Sequence, residues 1–389
     1  MFSSRTNWKL APNRFSIALE EVRAAGSMVL DLTLSNPTRA GLRYDAAAIR
    51  AALANPEAMD YDPQPKGLLI AREAVAGYYR EQHGIRGLDA RHLILTTSTS
   101  EGYSYVSRLL CNPGDELLVP KPSYPLFEFL ADLQDVTLAP YPLIYDHGWQ
   151  MDFHSLEKAV TPRTRAVVVV HPNNPSGSFV QEHEFGPLNE FCRKHGLALI
   201  VDEVFLDYVH DQAARRSCAG NHDVLTFTLS GLSKISALPQ MKVAWIAASG
   251  PEEQVEQALG RLEVIADTYL SMNAPIQYAV PVLLEQRHGI QPQLMDRVLA
   301  NLAELDRQLA GQKACERLSV EGGWYVVLRV PVTQSDENLA IALLRKKQVA
   351  VHPGHFFDFP GDGYLVLSLI TPEAEFAEGV GRVLEIVDC

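Results

Sequence analysis

The stretch Ser230-Gly-Leu-Ser-Lys-Ile-Ser-Ala-Leu-Pro-Gln-Met-Lys242 sets one lysine, Lys234, between two apolar runs, Val224 to Leu229 and Val243 to Ala248. That pattern reads as strand, tight loop, strand. Burial disfavours an ammonium and lowers its pKa. An amine that is partly neutral near pH 7 attacks carbonyls and can form a Schiff base. The hydroxyls of Ser230, Ser233 and Ser236 surround it and suit a phosphate. A solvated lysine on a surface loop accounts for this window equally well when it is taken alone.

Four more positions upstream carry compatible chemistry, each after a short apolar run. Ser98-Thr99-Ser100 offers hydroxyls and free N–H groups where a helix should begin, an arrangement that binds anions. It equally suits a plain helix cap. Tyr124 can lay a ring over a flat ligand or simply pack. Asn174, in Asn173-Asn-Pro-Ser-Gly177, places an amide at a sharp turn, and turn formation alone explains such a segment. Asp202 ends the most apolar run, where a carboxylate needs a cationic or hydrogen-bonding partner. Together they describe a site for a flat, phosphorylated, aldehyde-bearing heterocycle with a protonated ring nitrogen. Serines hold the phosphate, Tyr124 stacks, Asn174 donates to a ring oxygen, Asp202 keeps the nitrogen protonated and Lys234 takes the aldehyde. Pyridoxal 5′-phosphate (PLP) meets that description.

The elements that must position these residues are short apolar strands alternating with helices. Strands are expected at Leu93–Thr97, Glu116–Pro120, Arg165–His171 and Leu197–Asp202, and on either side of Lys234. Helices are expected at Phe15–Ala25 and Leu69–Gln82, from Ser98 through Leu110, from Pro122 through Leu133, and at Glu184–His195. This is an α/β pattern with a mainly parallel sheet covered on both faces, and ligands bind such sheets at the carboxyl ends of the strands. Val29–Leu34 reads as a further short strand. After Gly250, helices dominate at Glu252–Ala266, Ile276–Gln286 and Leu294–Leu309. Strand-like pieces at Ser319–Pro331, Val349–Pro353 and Tyr364–Leu369, with a helix at Asn338–Lys347, then suggest a smaller α+β domain.

The chain has 389 residues, more than one core usually supports, so two domains are expected. Its net charge of −13 argues against nucleic acid or an anionic membrane as partner. No apolar run is long enough to span a bilayer, and the N-terminus lacks a signal peptide's apolar core. The cysteines, Cys111, Cys192, Cys218, Cys315 and Cys389, are scattered, odd in number and without metal-like spacing. A reduced, cytoplasmic protein is expected. Neither G-x-G-x-x-G nor G-x-x-x-x-G-K-[ST] occurs, and His183-Glu184 lacks the second histidine of a zinc-protease motif.

These residues, with Tyr61-x-Pro63…Gly67, Pro122-Ser-Tyr124, Asn174-Pro-Ser-Gly177, Asp202-Glu-Val, Ser233-Lys234…Pro239 and Pro353-Gly354, resemble the class I/II, fold-type I PLP-dependent aminotransferases over nearly the whole chain. The resemblance implies a large PLP-binding domain (46–285), a small C-terminal domain (286–389), and an N-terminal arm (1–45) that contributes to the small one. It implies a homodimer in which Tyr61 reaches the neighbour's cofactor phosphate. It also implies cofactor contacts from Ser98, Thr99, Ser100, Tyr124, Asn174, Asp202, Phe205, Ser233 and Lys242. Three positions depart from the family. Phe205 stands where a tyrosine is usual. Lys242 replaces a phosphate-binding arginine, retaining a point charge but losing the bidentate fork. Val366 occupies the place of the arginine that binds the substrate carboxylate.

The loop Ser35-Asn36-Pro-Thr-Arg39 borders the substrate side in the family. Ser35, Asn36, Arg39 and the Val366 position are therefore the expected substrate residues, with Arg39 the replacement cation and Arg329 a weaker candidate beside apolar neighbours. The expected activity is transamination between an amino donor and an oxo acid through a Lys234 Schiff base. The alternative is another PLP reaction on the same scaffold, a lyase, decarboxylase or racemase, which the missing arginine favours. A non-catalytic PLP-binding protein is the third reading, disfavoured by the intact Lys234 and by the lack of a basic segment.

Overall fold

The computed structural model describes residues 1–125, 127–211 and 216–387. A two-residue strand, β1 (Leu30–Asp31), precedes an eight-stranded mixed sheet. That sheet comprises β2 (Leu93–Thr96), β3 (Glu116–Lys121), β4 (Thr137–Tyr145), β5 (Trp149–Met151), β6 (Thr164–Val170), β7 (Ala198–Asp202), β8 (Thr226–Gly231) and β9 (Ala244–Ser249), in the order β2-β9-β8-β7-β6-β3-β4-β5. Pairing is parallel from β8 through β7, β6 and β3 to β4, while β9 runs antiparallel to both β2 and β8.

The fully apolar strands follow from burial on both faces. Ile94, Val168, Ile200, Phe227 and Ile246 pack on one face, under the helices Thr99–Leu110 and Glu252–Tyr269. Leu93, Leu95, Trp245 and Ala247 on the other face meet the helices Leu69–His83 and Ala274–Glu285. Val167, Val169, Leu199 and Val201 on that same face meet the helix Glu182–His195.

A second, antiparallel sheet is built from β10 (Glu316–Arg317), β11 (Tyr325–Arg329), β13 (His352–Pro353) and β14 (Tyr364–Ser368), in the order β10-β11-β14-β13. Its apolar core is shared with the helices Arg287–Leu309, Asp336–Lys347 and Glu373–Val387. The strand β12 (Val349–Ala350) pairs in parallel with β1, so the N-terminal segment is stitched into this part of the molecule. Ser368 N–H donating to Leu32 and Thr371 Oγ1 donating to the Asp31 carbonyl tighten that seam.

Several local expectations are corrected. The strand expected over Val29–Leu34 is confined to Leu30–Asp31, because β12 offers only two pairing residues. The helix expected from Pro122 is described only from Phe127, since Ser123 N–H is engaged by the Phe357 carbonyl instead. The β4–β5 hairpin went unread, because β4 is interrupted by Pro140 and Pro142 in the stretch where it pairs only with β3. Lys234 sits not on a tight loop but on a helical turn, Leu232–Ile235, followed by a 3-10 turn, Pro239–Met241. Among the described residues no helix is long and apolar enough to cross a membrane, and Cys111, Cys192, Cys218 and Cys315 form no disulfide. Cys389 lies outside the described residues.

Candidate active site

The carboxyl ends of β2, β3, β6, β7 and β8 lie along one edge of the large sheet and carry, in turn, Ser98, Tyr124, Asn174, Asp202 and Lys234. Gly231 makes the last placement possible. A Cβ there would stand 2.7 Å from the Val243 carbonyl oxygen and 2.9 Å from the Ala244 Cα, so any side chain would push β8 and β9 apart just before the lysine. The turn that follows is fixed from three sides. Tyr208 Oη donates to the Lys234 carbonyl at 2.7 Å, Gln291 Nε2 to the Ile235 carbonyl at 2.9 Å, and Tyr44 Oη to the Ala237 carbonyl at 2.9 Å.

Lys234 is half-buried, its Nζ 4.6 Å from the centre of the Trp324 ring and 5.0 Å from that of Phe205. Burial lowers its pKa to about 8, with Asp202 pulling the other way. Asp202 is half-buried too and accepts from Val204 N–H at 3.1 Å and Tyr103 Oη at 3.3 Å. Burial raises its pKa to about 6, opposed by those two hydrogen bonds and by Lys234. An acid pushed up and an amine pushed down thus face one cleft, an arrangement typical of sites that move protons.

The Asn174 turn is held by its neighbour. Asn173 Nδ2 donates to the Pro122 carbonyl at 3.2 Å, while Asn173 Oδ1 accepts from Ser176 Oγ at 2.8 Å. That leaves the Asn174 carboxamide uncommitted among the described residues, with its Oδ1 buried and without a partner there. Ser98 caps the helix Thr99–Leu110, its Oγ accepting from Glu101 N–H at 3.2 Å, so its hydroxyl is a cap first. The N–H groups of Thr99 and Ser100 come before the first intrahelical bond and stay available for an anion. Tyr124 is 42% exposed, with a face free to cover a ligand.

Other expected residues fall differently. Ser230 and Ser236 are buried, Ser230 Oγ donating to the Glu203 carbonyl, so of the three serines near Lys234 only Ser233 is partly exposed. Phe205 is buried against Trp324 at 5.2 Å. Lys242 is exposed in a left-handed backbone conformation and makes no ion pair among the described residues. Tyr61 is not brought to Lys234 by its own chain. It is 83% exposed on a groove of about 470 Å³ that is also lined by Tyr105, Ser271, Met272 and Asn273.

On the substrate side, Ser35 meets the Tyr325 hydroxyl, and Asn36 Oδ1 caps the turn Pro37–Arg39 by accepting from Thr38 N–H. Arg39 is exposed, without an ion pair among the described residues. Arg329 is committed elsewhere, paired with Glu316 at 2.7 Å and lying over the Tyr145 ring at 5.5 Å. Val366 is wholly buried in the apolar core of the small sheet. Sequence reading missed Trp324, Tyr103, Tyr208 and Tyr325. The pair Gly322-Gly323 directly before Trp324-Tyr325 was the available signal for a close approach.

The residues present fit PLP. They supply a half-buried amine of lowered pKa, an uncommitted buried amide, a carboxylate beside that amine, free helix N–H groups and an exposed ring. Comparisons with known proteins point the same way. Residues 28–382 match the family model "Aminotransferase class I and II". The chain is 29% identical over 374 residues to an alanine aminotransferase of Mycobacterium tuberculosis, covering 93% of this chain and 86% of the relative. It is 30% identical over 261 residues to the glutamate-pyruvate aminotransferase AlaA of Escherichia coli, covering 67% and 64%. The solved structure of an alanine aminotransferase from Pyrococcus furiosus superposes with a TM-score of 0.90 at 21% identity, covering 100% of both chains.

Proposed function

The chain belongs to the class I and II aminotransferases, PLP-dependent enzymes of fold type I, and we propose that Lys234 is the amine that carries its cofactor. The enzyme transfers amino groups between small molecules. In our reading the donor is an amine and the acceptor an oxo acid. The observation that carries the assignment is the half-buried position of Lys234 just past the carboxyl end of β8, against Trp324 and Phe205, where burial lowers its pKa and Asp202 is the opposing charge.

PLP supplies the electron sink that makes the substrate C–H acidic, and the chain supplies the rest. Lys234, partly neutral near pH 8, takes the proton from the substrate carbon and returns it. Asp202 would hold the ring nitrogen, Asn174 would donate to the ring oxygen, and Tyr124 would cover the ring. Thr99, Ser100, Ser98, Ser233 and Lys242 would hold the phosphate. A second copy of the chain supplies Tyr61, which fits the exposure of Tyr61 (83%) and Met59 (87%) on one segment. Residues 1–45 act with the small domain 286–389, and 46–285 form the large one, in keeping with the β1–β12 pairing. A cytoplasmic location agrees with the described cysteines forming no disulfide.

Borohydride treatment of the yellow holoenzyme, followed by peptide mapping, tests the assignment. The adduct should fall on Lys234; an adduct on another lysine, or a protein that stays colourless with PLP, rejects it. A second reading, elimination, decarboxylation or racemisation on the same scaffold, draws on the burial of Val366 among apolar groups. Consumption of pyruvate, an oxo acid that appears in the name of one relative, in the presence of an amino donor separates the two.

A further inference from the structure

One face of the small sheet is turned toward the Lys234 cleft. Tyr325, Val327 and Arg329 of β11 share it with Ser368, Val366 and Tyr364 of β14, because directly opposed residues of an antiparallel pair project to the same side. Its orientation follows from its contacts. Tyr325 meets Ser35 and stands near Tyr124, and Ser368 Oγ donates to the Leu34 carbonyl at 2.5 Å. His352 on β13 opposes Val366 directly, so it continues that row.

Most of the polar groups on this face are engaged. Arg329 is paired with Glu316, Ser368 with Leu34, and Tyr325 with Ser35, while Tyr364 stacks on Phe359 at 4.5 Å. His352 makes no hydrogen bond among the described residues, and its Nδ1 is buried and unpartnered. Its ring is held between Phe356 at 6.1 Å and Phe357 at 5.7 Å, and Phe357 is tied through its carbonyl to Ser123, next to Tyr124. Burial pushes the imidazole below the usual histidine range, with Asp31 opposing. A buried N–H without an acceptor is rarer than a bare lone pair. The proton therefore belongs on Nε2, the partly exposed edge, where it is a donor.

We propose that His352 is the specificity-determining residue of the substrate side, a neutral donor that takes an uncharged hydrogen-bonding group of the amino substrate, hydroxyl or carboxamide, in place of a free carboxylate. The proposal rests on the transaminase reading of the Lys234 cleft. Val366, paired opposite His352, is wholly buried and apolar, so a carboxylate placed against it would lose hydration without gaining a cation. A hydroxyl or amide loses less and regains a hydrogen bond.

The test uses the PLP-loaded enzyme and follows the cofactor absorbance during titration with L-alanine, L-alaninamide and 2-aminopropan-1-ol. The parent should bind the two neutral compounds at least about tenfold more tightly than alanine. His352→Phe should bring the three to within about threefold, with unchanged cofactor absorbance and Tm, and His352→Gln, which keeps a neutral donor, should restore part of the preference. Equal or tighter binding of alanine by the parent overturns the proposal, as does a preference that survives in His352→Phe. If His352→Phe does not fold, a complete loss of the preference in His352→Gln overturns it and partial retention supports it. Absence of the cofactor band from the parent marks failure of the Lys234 assignment instead, so the two failures are told apart.

Discussion

The Nζ of Lys234 lies 4.6 Å from the centre of the Trp324 ring, although Lys234 follows a strand of the large sheet and Trp324 precedes one of the small sheet. Trp324 immediately precedes β11, and its ring also meets Phe205 and Tyr208 at 5.2 and 5.0 Å. An aromatic face attracts the ammonium, but the same rings strip water from it, and desolvation is the larger effect, since the pKa falls to about 8.

In the apoprotein Lys234 should therefore be acylated at pH values where other lysines are inert. Labelling by a small anhydride, resolved by peptide, should give a midpoint near pH 8 for Lys234. The sign for stability follows. Between about pH 8 and 10.5 the unfolded chain keeps a proton that the folded chain has released, so apoprotein stability should rise with pH across that window. A midpoint near that of free lysine would contradict the burial argument.

Asp202 should show the converse. Its pKa of about 6 lies above the ordinary 3.8, so between those values the folded state binds the extra proton and stability should fall as pH rises. In apo Asp202→Asn that slope should vanish, leaving the variant more stable at pH 7.5 by about 1 to 3 kcal/mol. The difference should shrink toward pH 4, while PLP affinity drops. Denaturant melts at the two pH values read the slope, and PLP titration reads the affinity.

Phe205→Tyr should restore a phenol beside the cofactor. Phe205 is buried, so in the apoprotein the new hydroxyl lacks a partner and should cost roughly 1 to 3 kcal/mol. PLP binding should recover most of that loss. The spectral pKa of the Lys234 Schiff base should fall, because the phenol competes for the shared proton. A cost that is equal with and without cofactor would place residue 205 away from the ring.

Arg39 is exposed and without an ion pair among the described residues, so Arg39→Ala should leave Tm within about 1 °C. If Arg39 meets an acidic substrate, KM for glutamate should rise about tenfold, with kcat and the cofactor spectrum little changed. Identical KM values would assign this arginine to solvent.

Gly177→Ala should loosen the Asn174 turn from the strand that brings Trp324. Gly177 has φ of +67°, its carbonyl accepts from Gly322 N–H at 2.9 Å, and an added Cβ would stand 2.5 Å from the Gly322 carbonyl oxygen. A loss of roughly 2 to 4 kcal/mol is expected, together with weaker PLP binding. Urea melts and PLP titration would report both.

The sequence by itself determined the large sheet and the order of its chemistry. Fully apolar runs such as Val167–Val170 and Leu199–Val201 can satisfy both faces only inside a covered parallel sheet, and such a sheet gathers strand ends at one edge. Ser98, Tyr124, Asn174, Asp202 and Lys234 were legible because each closes or follows its own strand. What only the tertiary structure decided was the other wall of the cleft. Tyr325 and His352 belong to short strands, and Trp324 directly precedes one, whose neighbours are set by pairings remote in sequence, Val327 with Val366 and Val366 with His352. Local pattern carries no register. The fates of Ser230 and Ser236 were equally hidden, since a serine's spacing from a lysine does not reveal which face of the turn is covered. Arg329 was half legible, because its apolar neighbours hinted at a structural pair but only the β10–β11 register supplied Glu316.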